Sequence, residues 1–498
     1  MNATNSRERF WWWLAVGAIA LAGLVLRVVA ARGGLWTDEA WSVIYAAQAR
    51  NPIGVFLRIN HDNNHHLYSL WLQAIGPTAP PLLARAPAIL AGSLCVVVAA
   101  LLAGRRSRVA GIVAALLFAF TPSLVAFGSE ARGYAMMLLA TLLMLLLASG
   151  ALDRRPVRGI RWWLAGLAFL GMLSHMTMAA SVAIVTLWVY LERRSAAGPE
   201  KALSSAVKLM GPSLIATAGV VVFVFTAAAL SATGMRLGGY TPFSPRGYIA
   251  ALDDLALWTA GFSTPLPWLT PLLVAFGAIA IAVRPPEWLG SRARLYALLI
   301  LTVPAGLALV RAGNTSFARY YLASAIGLLL FVSEWIARGL SRRGSIRAAA
   351  ALLLVTMIGV GAYRDSLLIR LDRGRPARSV ADMAALAPSG ARVAFAEPRL
   401  KGVVAVAAER SGYPARFAGG CAPADFLIAA QSRWTATPGT VRRCGVPMEA
   451  IDSSVTVPLT GDSWVLYKRR SLQTRGAADS GPAPGASRLS GRAGVAQG

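Results

Sequence analysis

The residues that could carry out chemistry lie in short polar segments beside long apolar runs. Two adjacent carboxylates, Asp38 and Glu39, follow the first run, and Arg132 and Arg319 lie in later segments of the same kind. A carboxylate can take a proton from an attacking hydroxyl, while an arginine can hold a phosphate through paired hydrogen bonds. Together they predict a site at which a polar acceptor reacts with an anionic lipid headgroup. We therefore expect Asp38, Arg132 and Arg319 to converge on one outer cavity.

Each of these residues also has a purely structural interpretation. Acidic residues are favoured at the start of a helix, so Asp38 and Glu39 could cap an amphipathic helix that follows them. Glu130 and Arg132 could form an ion pair at a helix end, and Arg319 could anchor its segment at the membrane interface. The sequence leaves these alternatives open.

The elements that must position these residues are membrane helices. Of the 498 residues, 56% are hydrophobic and 14% are charged, and the mean hydropathy is +0.55. A water-soluble domain does not carry this composition. Apolar runs of about 20 residues recur about eleven times, so the chain is predicted to be a mainly α, polytopic membrane protein. The predicted spans are 10–31, 82–103, 109–127, 134–151, 162–175, 177–191, 209–230, 266–283, 295–310, 320–336 and 348–363.

The distribution of charge predicts the orientation of the chain in the membrane. Lys and Arg outnumber Asp and Glu by 49 to 22, which gives a net charge of +27. That excess could indicate nucleic-acid binding, but the basic residues fall in alternate loops, which is the positive-inside pattern. The pattern places the N-terminus in the cytoplasm and both Asp38 and the segment after Tyr363 outside. A cleavable signal peptide is the alternative for residues 1–31, although the apolar run is longer than such peptides have.

Outside the spans, three segments complete the predicted domain organisation. The first outer loop, residues 32–81, contains amphipathic stretches at 40–48 and 67–72 that suit interfacial helices. After the membrane domain of residues 1–363, residues 364–470 have the pattern of a small extracytoplasmic α/β domain. Residues 471–498 have the composition of a disordered tail. Strands are predicted at 392–396, 403–408, 426–430, 454–457 and 464–467.

Cysteines and histidines raise two further possibilities. Cys421 and Cys444 lie in a compartment predicted to be oxidising, so a disulfide between them is plausible, with two free thiols as the alternative. His61, His65 and His66 are residues of a type that binds metals. Their spacing matches no strong metal motif, so packing or solvated histidines are the alternative.

The order of the polar motifs resembles a known family. The motifs are Trp-Thr-Asp-Glu at 36–39, Asn-Asn-His-His-Leu-Tyr at 63–68, Leu-Ala-Arg-Ala-Pro at 83–87, Ser-Glu-Ala-Arg-Gly-Tyr at 129–134 and Arg-Tyr-Tyr at 319–321. They look like the polytopic C-type glycosyltransferases, in particular the group related to protein O-mannosyltransferases and the lipid A aminoarabinose transferase. The resemblance covers about residues 10–340, and the ordered series is more specific than any single motif.

The resemblance implies a role for each site residue. Asp38 is expected to be the catalytic base, with Glu39 orienting it or the acceptor. Arg132, Arg319 and Tyr320 are expected to bind the donor phosphate, with supporting roles for Glu130, Tyr134 and Tyr68. Some relatives bind a divalent metal, for which His65 is the candidate here. The segment after Glu39 lacks the arginine of the aminoarabinose transferase, which argues against that donor.

The function implied is the transfer of a sugar from a polyprenyl-phosphate donor to an extracytoplasmic lipid, glycan or protein. The reaction would be an inverting single displacement at a bacterial inner membrane. A transporter or flippase of a lipid-linked sugar is the alternative. It would place ionisable groups near the bilayer midplane, whereas the acidic residues of this sequence gather at one boundary.

Overall fold

A computed structural model describes residues 3–61, 63–153, 155, 157–231, 234–235, 241–431 and 436–470. The predicted disordered tail lies outside these residues. The helices are α1 (Ala3–Ala30), α2 (Thr37–Gln48), α3 (Pro52–Leu57), α4 (His66–Ile75), α5 (Pro81–Gly104), α6 (Arg108–Phe120), α7 (Pro122–Phe127), α8 (Tyr134–Leu152), α9 (Ile160–Ser174), α10 (Met178–Ala197), α11 (Pro199–Ala229), α12 (Pro245–Ala260), α13 (Leu269–Val283), α14 (Arg292–Leu309), α15 (Leu322–Leu340), α16 (Ser345–Leu371), α17 (Pro376–Leu386) and α18 (Leu400–Ser411). The strands are β1 (Ala391–Phe395), β2 (Ala415–Phe417), β3 (Phe426–Ala430), β4 (Thr440–Arg443), β5 (Val446–Ser454) and β6 (Trp464–Arg469).

Apolar helices form the bulk of the molecule, as the hydropathy pattern predicts. Within the described residues, seven helices are long and apolar enough to cross a membrane, and three shorter apolar helices accompany them. Every predicted span overlaps a helix of the structure. The count of eleven spans stays a prediction, because α10 is not among these ten apolar helices.

Three predicted boundaries differ from the helices that form. The run 109–127 divides into α6 and α7 at Pro122, since proline has no N–H with which to continue the preceding helix. Helix α11 begins at Pro199 rather than at 209, because its first turns are helical but carry charged residues that hydropathy excludes. Helix α16 continues past the predicted domain boundary at 363 and ends at Leu371.

Three short helices, α2, α3 and α4, fill the loop of residues 32–81, which the charge pattern predicts to be the first outer loop. Helix α2 begins at Thr37, earlier than the predicted stretch at 40–48, and therefore carries Asp38 and Glu39 in its first turn. Its buried residues share one apolar core with α4 and with α18 of the C-terminal region. The loop of residues 32–81 is thus packed between the membrane helices and the C-terminal sheet region.

The C-terminal region is a six-stranded sheet in the order β2-β1-β3-β6-β5-β4. Strand β1 pairs in parallel with β2 and β3, and the other pairs are antiparallel. The predictions of β1, β3 and β6 match the sheet, whereas β2, β4 and most of β5 were missed. The predicted strand at 403–408 is wrong: it lies in α18, where Leu400, Val403 and Val404 are buried at helical spacing.

Cys421 and Cys444 form a disulfide, with their Cα atoms 5.7 Å apart. The bond links the loop after β2 to the turn between β4 and β5. The alternative of two free thiols does not hold in the structure. Cys95 is free and buried within α5.

Candidate active site

The first turn of α2 presents Asp38. Trp36, the residue immediately before α2, has an extended backbone conformation, with φ −89° and ψ 175°. Its backbone N–H donates to Oε2 of Glu39 at 3.1 Å, which satisfies one of the amide groups left free at a helix start. Glu39 therefore caps α2, and the structural interpretation of the acidic pair holds for Glu39.

Asp38, Arg132 and Arg319 converge as the sequence led us to expect. Oδ2 of Asp38 accepts a hydrogen bond from Nη1 of Arg132 at 2.9 Å and another from Nη1 of Arg319 at 2.8 Å. The Asp38 side chain is 24% exposed, so it faces an opening. Arg132 thus pairs with Asp38 rather than with Glu130, and Arg319 is part of the cluster rather than a separate anchor.

Asn63 is a site residue that the sequence did not single out. Its amide oxygen accepts from Nη2 of Arg132 at 2.7 Å, and its Nδ2 donates to the backbone carbonyl of Asp38 at 3.0 Å and to Oγ of Ser42 at 3.1 Å. Asn63 therefore fixes the acid and the arginine relative to each other. Its place at the start of the motif at 63–68 was the available signal.

Aromatic rings hold both arginines in place. The guanidinium of Arg132 lies over the ring of Tyr134 at 4.9 Å, and that of Arg319 lies over Phe317 at 4.3 Å and Tyr320 at 5.8 Å. Burial works to lower the pKa of Arg132, but Tyr134 and Asp38 raise it above its usual value. Arg132 is therefore a permanent cation. Tyr320 and Tyr134 support the arginines from their ring faces.

Glu39 is in a different environment, which corrects its predicted role. It is fully buried, and its two oxygens accept from Arg85 at 2.8 and 2.6 Å. Oε1 also accepts the backbone N–H of Ala131 at 2.6 Å. Burial alone would raise the pKa of Glu39, but Arg85 outweighs it and lowers the pKa. With its oxygens occupied in the core, Glu39 does not face an acceptor, and of its two predicted roles only the orientation of Asp38 through their shared helix turn fits this position.

Glu130 and Tyr68 lie in the core beside this ion pair. The Tyr68 hydroxyl donates to the carbonyl of Ala84 at 2.8 Å. Neither carboxyl oxygen of Glu130 accepts a hydrogen bond from a described residue, and burial raises the pKa of Glu130 to about 7. Their predicted support of the site is therefore indirect: Tyr68 packs the loop, and Glu130 is an acid that burial disfavours in its charged form.

His65 packs within a cluster of rings. Its ring lies 4.9 Å from His175 and 5.5 Å from Tyr134, and Nδ1 contacts the carbonyl of Ser174 at 3.2 Å. Burial, with the charge of Arg132, lowers the pKa of His65 well below its usual value. The described part of the chain holds no group of three His, Cys, Asp or Glu side chains suited to a metal. These residues do not fit the predicted divalent metal.

An apolar cavity of about 200 Å³ lies between α12, α13, α14 and α15. Its walls include Tyr248, Pro271, Leu301 and Ala325. The Tyr248 ring contacts the ring of Tyr321 at 5.9 Å, in the same 3₁₀ turn as Arg319. An apolar space therefore adjoins the turn that supplies one of the arginines.

Part of the chain matches a known protein family. The sequence model of the family described as dolichyl-phosphate-mannose-protein mannosyltransferase matches residues 70–225. The matched segment contains Arg132 but neither Asp38 nor Arg319. No curated protein sequence matches the chain significantly.

One solved structure shares this fold at a TM-score of 0.50, and two others align at lower scores. ArnT from Cupriavidus metallidurans in the apo state aligns with a TM-score of 0.50 and 14% identity, over 92% of this chain and 98% of that chain. The same protein bound to undecaprenyl phosphate aligns with a TM-score of 0.48 and 14% identity, over 93% and 98%. The Archaeoglobus fulgidus oligosaccharyltransferase tethered to an acceptor peptide aligns with a TM-score of 0.48 and 10% identity, over 80% of this chain and 63% of that chain. The predicted mainly α, polytopic fold is confirmed.

Proposed function

Because the chain resembles the C-type glycosyltransferases in its motifs, its matched family segment and its fold, we propose that it is a membrane glycosyltransferase. It moves a sugar from a polyprenyl-phosphate donor to an extracytoplasmic acceptor, which is a lipid, a glycan or a protein. The observation that carries this proposal is the meeting of one accessible carboxylate with two arginines at Asp38. A base and a phosphate-binding pair are the groups that such a transfer requires.

The reaction is an inverting single displacement. The acceptor hydroxyl attacks the anomeric carbon of the sugar, and the bond from that carbon to the phosphate oxygen breaks. The phosphate leaves with the electron pair, and Arg132 and Arg319 stabilise its charge. The hydroxyl proton passes to Asp38. A phosphate is a stable anion, so it leaves without a general acid.

The free oxygen of Asp38 is the atom that takes the proton. Both arginines bind Oδ2, and no described residue donates a hydrogen bond to Oδ1. Oδ1 can therefore accept a bond from the acceptor hydroxyl while Oδ2 stays anchored. A donor phosphate that binds the remaining guanidinium N–H groups would lie beside the same carboxylate, which brings base and leaving group together.

The membrane environment supports a lipid-linked donor. The positive-inside pattern supports an extracytoplasmic position for the Asp38 cluster. The apolar cavity beside Tyr321 offers a place for the first units of a prenyl chain whose phosphate lies at Arg319. Burial of hydrocarbon in that cavity would contribute to donor binding.

The decisive experiment is a transfer assay on membranes that contain the protein, with labelled polyprenyl-phosphate sugars as donors. The wild type should move label from lipid to an acceptor fraction, and Asp38→Asn should lose this turnover by roughly 10²-fold or more because the base is gone. Glu449→Gln removes a carboxylate on the exposed face of β5 and serves as the control. Full turnover by Asp38→Asn would disprove the base. Movement of intact donor across the membrane without transfer would favour a flippase.

A further inference from the structure

One loop of the C-terminal domain reaches the candidate active site. Oδ2 of Asp462, in the loop between β5 and β6, accepts the backbone N–H of Thr37 at 2.9 Å. Thr37 is the first residue of α2 and immediately precedes Asp38. Asp462 is 9% exposed, so this contact is shielded from water. A buried charged acceptor makes a stronger bond to an amide than a neutral one does.

The backbone of this loop lies very close to the chain that leaves α16. Gly461 has φ +91°, and a Cβ there would lie 2.5 Å from the carbonyl oxygen of Arg373. Gly374 has φ +85°, and a Cβ there would lie 1.8 Å from the carbonyl oxygen of Asp462. Only glycine permits such an approach. The Trp464 indole N–H donates to the carbonyl of Gly374 at 2.6 Å, which closes the contact.

Arg373 connects the same junction to the membrane helices. Its guanidinium is buried and donates to the carbonyl of Ala30 at 2.6 Å and to the carbonyl and hydroxyl of Ser129 at 2.8 Å each. Ala30 ends α1, just before the loop that leads to Asp38, and Ser129 precedes Arg132 in its turn. Arg373 therefore binds both the segment that leads to Asp38 and the turn that carries Arg132.

Two backbone amides at the start of α2 are therefore bonded by acceptors from different parts of the chain. The amide of Trp36 is satisfied from within the helix by Glu39, whereas the amide of Thr37 is satisfied from outside by Asp462. Loss of the outside partner would leave a buried amide unpaired, and the first turn of a helix frays most readily. Asp38 lies in that turn.

We propose that Asp462 is a positioning residue for the transfer reaction. By holding the amide of Thr37, it fixes the first turn of α2 so that Asp38 faces Arg132 and Arg319. This inference rests on the proposed role of Asp38 as the base. It assigns the C-terminal domain a part in building the catalytic site.

The test compares Asp462→Ala with Asp462→Asn in the membrane transfer assay. Asp462→Ala should lower kcat per folded molecule by roughly 10- to 100-fold, since a small displacement of a catalytic group has effects of this size. The KM for the donor should stay nearly unchanged, because Asp462 does not contact the arginines. Asp462→Asn should restore most of kcat, because its amide oxygen can accept the same N–H.

A second route removes the donor of the bond instead of the acceptor. Thr37→Pro deletes the N–H, and proline is favoured at the first position of a helix. Trp36 is already extended, as the residue before a proline must be. Thr37→Pro is made in the Asp462→Ala background, because the proline ring carbon takes the place of the hydrogen that points at Asp462. This double variant should keep α2 and lose no more kcat than Asp462→Ala alone, since both changes remove one bond. Ser463→Ala, which removes the bond from the Thr456 amide within the C-terminal domain, is the control.

Wild-type kcat per folded molecule in Asp462→Ala would overturn the proposal, as would additive losses in the double variant. A lower thermal midpoint with unchanged kcat would show that Asp462 only stabilises the fold. If Asp462→Ala fails to fold, Asp462→Leu, which keeps the side-chain volume without an acceptor, is compared with Asp462→Asn instead. Activity of Asp38→Asn would instead refute the base itself, whereas an inactive Asp38→Asn beside a fully active Asp462→Ala refutes this inference alone.

Discussion

Asp38 and Glu39 are adjacent acids, and each is paired with arginine, but their surroundings differ. The carboxylate of Glu39 is fully buried, and its oxygens accept bonds from Arg85, Ala131 and Trp36. The carboxylate of Asp38 is 24% exposed, and only Oδ2 is engaged by Arg132 and Arg319. The ion pair of Glu39 is closed, in the sense that both carboxylate oxygens are already bonded within the protein. The cluster of Asp38 is open, because one carboxylate oxygen can still bind a substrate.

Helix geometry explains how neighbouring acids reach such different places. Successive residues of an α-helix point about 100° apart, so one side chain of the pair can face the core while the next faces an opening. A carboxylate with every lone pair occupied stabilises structure, while one with a free oxygen can accept a proton. The comparison teaches that an acidic pair in sequence need not act as a pair.

The largest effect on stability should come from Glu39→Ala. It leaves the buried guanidinium of Arg85 without its partner, and breaking a buried ion pair in this way costs about 3–5 kcal/mol. Thermal unfolding of the purified protein in detergent should show a clear loss for Glu39→Ala. Asp38→Ala should lose less stability, because Asp38 is 24% exposed and solvent at the opening can hydrate the guanidinium groups of Arg132 and Arg319. Equal losses in the two variants would remove the distinction between the closed and open pairs.

The largest effect on catalysis beyond the base should come from Arg319. Arg319→Met removes one of the two groups proposed to stabilise the leaving phosphate, and kcat/KM should fall about 10²- to 10³-fold. Arg319→Lys should fall less, since it keeps the charge but loses the planar fork. Transfer rates at several donor concentrations provide the measurement. Arg416→Met, on the exposed strand β2, is the control, and an equal response from the two methionine variants would exclude a role for Arg319.

A smaller effect should appear in the pH dependence of stability through Glu130. Burial raises the pKa of Glu130 from 4.5 to about 7 in the folded protein. Its contribution to stability is therefore fully present below about pH 4.5 and is lost as the pH rises to about 7. The loss amounts to about 1.4 kcal/mol for each pH unit in that window.

Glu130→Gln should remove this part of the pH dependence, so the variant should be more stable than the wild type above pH 7. Thermal midpoints measured across the pH range provide the test. Glu409→Gln alters an exposed carboxylate on α18 and should leave the profile unchanged. Parallel profiles for Glu130→Gln and the wild type would show that Glu130 is not buried in its neutral form.

Several features of the molecule could be predicted because they depend on local pattern. Long apolar runs gave the membrane helices, since a segment of that length and hydropathy has few stable alternatives in a bilayer. The strands β1, β3 and β6 have continuous apolar stretches that local pattern detects. The stretch at 403–408 was misread because its β-branched residues suit a strand, whereas packing of α18 on α2 selects the helix.

The sequence suggested which side chains form the candidate site, but it predicted only part of their arrangement. Asp38, Arg132 and Arg319 meet as expected, while Glu39 faces Arg85 and His65 packs against aromatic rings. Asn63 and Asp462 were not singled out, although both make hydrogen bonds within the first turn of α2. A side chain that binds a distant backbone group leaves no spacing motif in the sequence, because any residue can supply the backbone partner.

The sequence by itself determined the membrane class, because composition and hydrophobic periodicity specify it, and the order of its polar motifs suggested the residues proposed here as base and phosphate ligands. The tertiary structure alone decided which acid faces the opening and what holds it there. Asp38 meets Arg319 across 281 positions, and Thr37 meets Asp462 across 425. Contacts of that range arise only when the helices and the C-terminal sheet pack together, since no local pattern encodes them.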